Sequence, residues 1–240
     1  MMGMHVTVDV RDGDETVCCQ HVFDYLEYVD QTFSTYKENS EISKINRGEI
    51  LRSDFSADMV EIFDLAEKTK IETRGYFDIK KPDGSIDPSG IVKGWAIWKA
   101  SELLKKEGHE YFFIDVGGDI QGAVAANADN IWRVGIRNPF KHEEIIKVLS
   151  IQNEGIATSG TYERGAHIYN PHDPSEKQSQ IVSLTVIGPN IYEADRFATA
   201  AFAMGVDGIT FIEQLVGFEG YMINAEGIAT MTSGLKKYTT

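Results

Sequence analysis

The first hundred residues combine one strand-like pattern with three helix-like ones. Residues 5–10 alternate polar and apolar side chains, which is the period of a half-buried β-strand. Over residues 16–33 the apolar positions recur at helical spacing and predict an amphipathic helix. Ser56 can cap a second helix that ends before Gly75, and a third helix is predicted over residues 91–106.

The periodicity changes after the third predicted helix. Strands are predicted over residues 111–116, 131–136, 145–151 and 181–187, helices near 192–204 and 209–216, and a final strand pair over 220–224 and 227–232. Helices and hairpin-like strands are mixed without strict βαβ alternation, so the pattern favours an α+β fold over a doubly wound sheet. Because no Ser/Gly-rich linker divides the chain, we interpret residues 1–240 as one domain.

Composition excludes two classes of partner. The chain is 42% hydrophobic and 25% charged, as in ordinary globular proteins, and no apolar run approaches the length of a membrane span. Its net charge of -14 argues against a nucleic-acid partner, since such a surface needs a basic stripe. An anionic ligand would need local help from a metal, a lysine or a helix N-terminus.

The two cysteines and the N-terminus give weak signals. Cys18 and Cys19 are adjacent, a spacing that rarely pairs and that forms no CxxC motif, so we interpret them as small residues on a partly buried helix. The N-terminus has neither a basic region nor a long apolar region, and it reads as a strand. The expected localisation is cytoplasmic; the alternative is an exported or lipid-anchored protein whose leader has been removed.

The most informative stretch contains Asp195 and Thr199 on a predicted Ala-rich helix. Residues four apart share a helix face, so a carboxylate and a hydroxyl project together, with the Ala198 carbonyl nearby. Such hard oxygens suit Mg²⁺ or Ca²⁺ and not zinc. Taken alone, the stretch favours a solvated Asp195 on an amphipathic helix over a metal site. The rest of the chain reverses that preference.

A second candidate is the turn over residues 86–96, where a glycine-containing segment opens a helix. Helix N-termini present unpaired N–H groups to anions. Lys93 is predicted in the first turn, where a positive charge opposes the helix dipole, and it therefore indicates a phosphate or carboxylate partner. The spacing is not that of a Walker A loop.

Other polar positions leave two interpretations open. Tyr36 can stack on a planar ring or be a half-buried core residue, and Asp78, after Gly75 and two aromatics, is mainly structural with ligand binding as the minor alternative. The Gly-Gly turn before Asp119 fits a ligand or a plain hairpin. His167 is either structural or a general base beside a metal-bound phosphate. The remaining histidines lack comparable neighbours: His5, His21, His109, His142 and His172.

These segments, taken in order, resemble the ApbE family of flavin transferases, the FAD:protein FMN transferases. The resemblance covers nearly the whole chain and rests on joint order and spacing. The matching motifs are Met2-Gly3, FSTY with SEISKIN (33–46), GYFDI (75–79), DxxGxxKGxA (87–96), VGGD (116–119), WRVGIRNP (132–139), ATSG (157–160), HIYNP (167–171) and ADxxATA (194–200). The short stretch between Asp78 and Asp87 and the turn Asp87-Pro88-Ser89-Gly90 depart from the usual pattern.

The resemblance implies two related α+β lobes of mixed or antiparallel sheet, a T-fold-like duplication, with FAD in the cleft and a divalent metal, usually Mg²⁺, on its pyrophosphate. It implies metal ligands at Asp195 and Thr199 and at the carbonyls of Gly90 and Ala198. Its flavin-site residues fall on Met2, Tyr76, Phe77, Asp78, Asp87, Lys93 and Ile168, with Tyr36 and Asp119 as contributors. The catalytic positions are His167, as the base, and Asp195.

The implied reaction transfers the FMN moiety of FAD to a threonine or serine hydroxyl of an acceptor flavoprotein and releases AMP. The pyrophosphate is anionic and the protein acidic, so Mg²⁺ and Lys93 would supply the missing positive charge. Two alternatives remain open at this point. A metal-dependent FAD pyrophosphatase would use water as the nucleophile, and a non-catalytic module would bind FAD and leave it intact.

Overall fold

The computed structural model describes residues 4–126, 128–160, 168–173 and 180–239, apart from the side chain of His142. Its α-helices are α1 (Glu15–Phe33), α2 (Glu41–Asn46), α3 (Ala57–Glu72), α4 (Ser89–Lys106), α5 (Ile191–Ala203) and α6 (Gly208–Glu213). Its strands are β1 (Val6–Val10), β2 (Phe112–Val116), β3 (Asp119–Ala123), β4 (Trp132–Asn138), β5 (Lys141–Ile151), β6 (Gly155–Gly160), β7 (Ile181–Gly188), β8 (Glu219–Asn224) and β9 (Ala229–Met231). Short 3-10 helices cover Arg52–Asp54, Gly205–Asp207 and Ser233–Tyr238.

Seven strands form one sheet in the order β1-β2-β3-β6-β7-β8-β9, and β4 pairs with β5 in a separate two-stranded sheet. Every neighbouring pair is antiparallel. The halves β1–β3 and β6–β9 meet where Ile120 pairs with Ile156, so one continuous sheet connects them. The α+β class predicted from the sequence is confirmed.

Helix α4 is the central helix of the core. Its Trp95 is fully buried and makes an edge contact with Phe33 of α1, with ring centroids 5.7 Å apart. Helix α1 is capped by Asp14, whose carboxylate accepts from Thr16 N at 3.1 Å, which satisfies one of the N–H groups left open at a helix start. Helix α4 also packs against α5 and against strands β2 and β3.

Polar contacts fix helix α5 against the sheet and against α3. Gln121 on β3 is buried, and its Oε1 accepts from Ile191 N at 2.8 Å, so the first N–H of the helix is satisfied inside the core. Arg196 is 2% exposed and pairs with Glu72 of α3 and Glu193, which compensates the cost of burying its charge. Asp195 and Thr199 therefore sit on a rigidly held helix.

The predicted helices and strands are confirmed, with ends that differ by a few residues. Three elements were not predicted: α2, β3 and β6. Strand β6 has the sequence Gly-Ile-Ala-Thr-Ser-Gly. Its two glycines and Ala157 have low strand propensity and Ile156 is its only large apolar residue, so no strand pattern is visible. The strand forms because it is paired between β3 and β7 and packs against α5. None of the described helices is long and apolar enough to cross a membrane.

Candidate active site

Helices α4 and α5 approach most closely at Gly94 and Asp195. The Gly94 N–H donates to Asp195 Oδ2 at 2.7 Å, and Asp195 is only 5% exposed. A Cβ atom at position 94 would lie 2.6 Å from the Asp195 Cβ and 2.8 Å from the Ile191 carbonyl oxygen. Glycine is therefore required here by the close contact of the two helices, and that contact sets the position of the Asp195 carboxylate.

The variant Gly94→Ala tests this contact. Alanine in a helix normally gains about 0.5–1 kcal/mol over glycine, so the substitution should stabilise an unconstrained helix. Here we expect a loss of about 1–3 kcal/mol because the added methyl group forces α4 and α5 apart. Thermal unfolding measures this loss of stability as a fall in Tm of about 2–4 °C per kcal/mol for a chain of this size. A raised Tm would contradict the close contact.

Thr199 lies one turn after Asp195 and faces the start of α4. Its Oγ1 is 3.5 Å from the Gly90 carbonyl oxygen, which belongs to a residue 109 positions earlier. Gly90, Asp195 and Thr199 line the same cavity, which has a volume of about 130 Å³. We call it the phosphate cavity after the ligand predicted from the sequence. The structure thus gathers the hard oxygens of these three residues in one place; their binding of a metal stays a prediction.

The fourth predicted metal ligand is placed differently. Ala198 is fully buried and is not among the residues that line the phosphate cavity. Its assignment as a metal ligand stays a prediction. A carboxylate, a hydroxyl and a carbonyl still match the donor set of Mg²⁺, which keeps several water or substrate oxygens in its shell.

Lys93 reaches from α4 to a buried carboxylate. Its Nζ lies 2.5 Å from Asp119 Oδ2, and the Asp119 side chain is 1% exposed. The other Asp119 oxygen accepts from Thr158 N at 3.0 Å. Asp119 thus holds Lys93 at the edge of the phosphate cavity, which Lys93 lines. The expected carboxylate partner exists, and ion pairing with it explains the lysine's position.

The predicted position of Lys93 in the helix was wrong by two residues, about half a turn. Helix α4 begins at Ser89 and not near residue 91, because Asp87 Oδ1 accepts from Ser89 N at 3.1 Å and supports the earlier start. Lys93 is therefore the fifth helical residue and lies in the second turn. The helix dipole has little effect on Lys93 at this position, since its field falls off beyond the first turn.

A turn after α3 brings three predicted flavin-site residues into the phosphate cavity. Arg74 and Gly75 adopt left-handed φ values of 55° and 83°, which reverse the chain. The residues that follow and line the cavity are Tyr76, Phe77 and Asp78. Asp78 is also held in place, because its carboxylate pairs with Lys70 Nζ at 2.7 Å and accepts from Lys80 N at 2.9 Å.

The other predicted residues fall into three groups. Asp87 and Ile168 line the phosphate cavity. Asp119 acts through Lys93 and Thr158 and lines neither cavity described here. Met2 and His167 lie outside the described residues, so their assignments stay predictions.

Tyr36 lines a second and larger cavity, the ring cavity, of about 870 Å³. It is 97% exposed, so it is not a core residue. Trp132 and Arg137 of β4 line the same space, and Thr158 lines both cavities. The two cavities therefore adjoin at Thr158.

The ring cavity also contains a perturbed carboxyl group. Burial, followed by the nearby charge of Asp119, raises the pKa of Asp115, although the Gly118 N–H donates to its Oδ1 at 2.8 Å. Asp115 lines the cavity together with His5 and Arg137. The sequence analysis did not single out Asp115, Lys81, Arg137 or Thr158; the last two lie within the matching WRVGIRNP and ATSG motifs, which were the available signal.

Comparison with known proteins identifies the family. The sequence profile of the ApbE family matches residues 2–81 and 79–222, which is most of the chain. The chain belongs to the ApbE family. Solved structures of ApbE proteins share its fold: the flavin transferase ApbE from Vibrio cholerae superposes with a TM-score of 0.83 at 22% identity, covering 99% of this chain and 96% of that chain. The ApbE protein of Thermotoga maritima gives 0.85 at 19% identity, covering 100% and 97%.

Curated relatives in the ApbE family carry the name FAD:protein FMN transferase. The Escherichia coli (strain K12) protein is 29% identical over 161 residues, which cover 63% of this chain and 46% of that protein. The Haemophilus influenzae protein is 22% identical over an alignment of 298 residues, which covers 95% of this chain and 86% of that protein. The chain thus spans about half the length of the first curated relatives it matches.

Proposed function

We propose that the chain transfers the FMN moiety of FAD to a threonine or serine hydroxyl of an acceptor flavoprotein, with Mg²⁺ as the metal. The observation that carries the proposal is that hard oxygens line the phosphate cavity together with a lysine that is paired with a buried carboxylate. Gly90, Asp195 and Thr199 supply the oxygens, and Lys93 supplies the positive charge. The names of the relatives support the same reaction.

The oxygens around Asp195 would hold the metal. Asp195 and Thr199 contribute a carboxylate and a hydroxyl, and Gly90 contributes a carbonyl, all at the cavity wall. A carboxylate has about four lone-pair positions, so the contact with Gly94 N–H orients Asp195 and still leaves coordination capacity. When bound, Mg²⁺ neutralises pyrophosphate charge and polarises the phosphorus under attack.

The two cavities, which share Thr158 as a wall residue, offer separate places for the two ends of a dinucleotide. FAD has a pyrophosphate at its centre and a planar ring system at each end. We place the pyrophosphate beside Lys93 and the adenosine end along Tyr76 and Phe77 of the phosphate cavity. The isoalloxazine, the larger ring system, fits the cavity of about 870 Å³, which lies within the usual range of small-molecule sites. Tyr36 then offers its face to that ring.

In the proposed reaction the acceptor Oγ forms a bond to the FMN phosphorus. The bond from that phosphorus to the bridging oxygen breaks, and AMP leaves with the oxygen. His167 takes the proton of the acceptor hydroxyl, since a hydroxyl is a weak nucleophile until it is deprotonated. Lys93 stays beside the phosphates and stabilises the negative charge that moves onto AMP. This role of His167 rests on the sequence, and Ile168, which follows it, lines the phosphate cavity.

Product analysis tests the proposal. The chain is incubated with FAD, Mg²⁺ and an acceptor domain, and nucleotides and protein-bound flavin are separated by chromatography. We expect covalent flavin on the acceptor and an equal amount of AMP. Free FMN with AMP and an unmodified acceptor would instead indicate a pyrophosphatase. Intact FAD that stays bound would indicate a binding module, and either result would refute transfer.

The variant Tyr36→Ala tests the placement of the isoalloxazine. We expect the Kd for FAD to rise about 2–10-fold, because an aromatic contact is worth about 0.5–1.5 kcal/mol. Quenching of flavin fluorescence measures the affinity. The variant Tyr36→Phe is the control and should bind as the wild type does. Because Tyr36 is 97% exposed, Tm should not change in either variant; unchanged affinity in Tyr36→Ala would contradict the placement.

A further inference from the structure

Four side chains that commonly bind metals meet where α1 packs against the end of α4. The ligand atoms of Cys18, Glu107 and His109 all lie within 4.8 Å of one another. Cys18 Sγ is 3.1 Å from His109 Nε2, and Glu107 Oε1 is 2.8 Å from His21 Nδ1. None of the four lines the phosphate cavity or the ring cavity. The interpretation that His21 and His109 lack neighbours comparable to those of His167 was therefore wrong.

The fold assembles this cluster from separate segments. Cys18 and His21 are three residues apart on α1, a spacing that puts both side chains on one helix face. Glu107 and His109 belong to the turn that follows α4. Cys18 is 2% exposed, whereas Glu107 is exposed, so the cluster has a buried end and an end open to solvent. A cation can therefore enter from the side of Glu107.

The ring of His109 is held in a fixed orientation. A Cβ atom at Gly13 would lie 2.3 Å from the His109 Cε1, so the ring packs directly on the backbone there. His109 Nδ1 lies 3.6 Å from Asp12 Oδ1, which is too long for a hydrogen bond, so a small shift is needed for Asp12 to accept its proton. Asp12 is fixed in turn, because its Oδ2 accepts from the N–H groups of Glu110 and Tyr111 at 2.6 and 3.0 Å. A carboxylate behind the distal nitrogen is the usual outer partner of a metal-binding histidine.

We propose that Cys18, Glu107 and His109 bind a thiophilic divalent cation, Zn²⁺, with His21 or a water molecule as the fourth ligand. A thiolate, an imidazole and a carboxylate form a donor set that suits Zn²⁺, whereas Mg²⁺ prefers oxygen alone. The Cys18 thiol gives its proton to solvent when the Zn–S bond forms. The site is distinct from the oxygen site at Asp195, and it fastens α1 to the end of α4.

The present distances are compatible with coordination. Zn–S and Zn–N bonds of about 2.3 and 2.0–2.1 Å at a tetrahedral angle separate sulfur from nitrogen by about 3.5 Å. The observed separation of Cys18 Sγ and His109 Nε2 is 3.1 Å, so a shift of a few tenths of an ångström admits the ion. Without a metal, Cys18 pairs with His109 and Glu107 pairs with His21. A bound cation would instead draw the ligand atoms of Cys18, Glu107 and His109, which all lie within 4.8 Å of one another, onto one centre.

Zinc binding by the full, untagged chain tests the site, with Cys19→Ser as a matched control. Cys19 is the neighbouring cysteine, and its Sγ contacts the Val8 carbonyl at 3.8 Å, away from the cluster. The protein is stripped with a chelator and titrated with Zn²⁺ in excess Mg²⁺, which occupies oxygen sites. We expect one Zn²⁺ per wild-type and Cys19→Ser chain and loss of that ion in Cys18→Ser. Equal binding by Cys18→Ser and wild type would overturn the proposal, as would the absence of tight binding in wild type.

Cobalt substitution provides a spectroscopic readout that would not change if Cys18 had only a structural role. Co²⁺ bound to a thiolate gives a near-ultraviolet charge-transfer band, which we expect in wild type and Cys19→Ser and not in Cys18→Ser. His109→Gln is the second variant should Cys18→Ser fail to fold, and circular dichroism of the metal-free proteins checks folding. A wild-type Co²⁺ spectrum without the thiolate band would refute ligation by Cys18.

Asp12→Asn probes the outer partner of His109. The asparagine carbonyl can still accept hydrogen bonds from the backbone N–H groups of Glu110 and Tyr111. Its NH₂ group then faces His109 Nδ1 and cannot accept the proton of that nitrogen. We expect Zn²⁺ to bind about 10–100-fold more weakly, with unchanged stoichiometry. Wild-type affinity in this variant together with zinc loss in Cys18→Ser would overturn the role of Asp12, and wild-type affinity in both variants would overturn the site.

Discussion

Replacing Asp195 with asparagine will lower the rate of FMN transfer about 10³-fold, equivalent to about 4 kcal/mol of transition-state stabilisation. Asparagine has the same shape, and its carbonyl oxygen can still accept from Gly94 N–H, so the contact of α4 with α5 is kept. The change removes the negative charge that would bind Mg²⁺. Single-turnover assays with saturating FAD measure the rate, and Mg²⁺ titration of each variant measures the metal requirement.

Two comparisons make the Asp195→Asn result specific. Its Tm without metal should stay close to that of the wild type, because the buried hydrogen bond is preserved. Thr199→Val removes the neighbouring hydroxyl at equal size, and it should raise the Mg²⁺ concentration needed for half-maximal rate. An Asp195→Asn enzyme that transfers FMN at the wild-type rate, with or without added Mg²⁺, would contradict the metal assignment.

Replacing Lys93 with methionine will destabilise the protein and abolish transfer. Asp119 is 1% exposed, so removing its cationic partner leaves a buried charge uncompensated, at a cost of about 3–5 kcal/mol. Methionine keeps most of the length of the lysine side chain, so the loss of packing is small. Thermal unfolding should show a fall in Tm of about 2–4 °C per kcal/mol.

The double variant Lys93→Met/Asp119→Asn separates stability from function. Asparagine at 119 is neutral and can still accept from Thr158 N, so most of the lost stability should return. Transfer should remain lost, because the positive charge beside the phosphates is still missing. If the single variant Lys93→Met is as stable as the wild type, the buried pair is not the constraint we infer. If the double variant regains transfer, Lys93 has no role at the phosphates.

The elements and motifs predicted from the sequence account for most of the fold. Hydrophobic periodicity predicts α1, α3, α4 and α5 and the long strands, because each buries an apolar face. It does not predict β6, whose small residues are explained only by the close packing of α5. The strand propensity of the β6 residues carries no information about helix α5, which packs on them.

The candidate site was likewise predicted in part from local sequence and completed by the packing of distant segments. The ADxxATA motif predicts that Asp195 and Thr199 share a face. The resemblance to the ApbE family implies that Gly90 joins them, and the fold places the Gly90 carbonyl 3.5 Å from Thr199 Oγ1. The charge of Lys93 indicates an anionic partner, and the structure supplies Asp119 as one that no local pattern could specify. The cluster of Cys18 with His109 was missed for the same reason, since 91 residues separate the two side chains.

The intact mass of an acceptor protein tests the central claim most directly. The acceptor is incubated with FAD and Mg²⁺ and either the wild type or Asp195→Asn, and its mass is then measured, with fragmentation to locate the modified residue. We predict a gain of one FMN phosphoester on a threonine or serine with the wild type and Mg²⁺, and almost none with Asp195→Asn or with a chelator. An unmodified acceptor, with FAD intact or split into free FMN and AMP, would contradict the account.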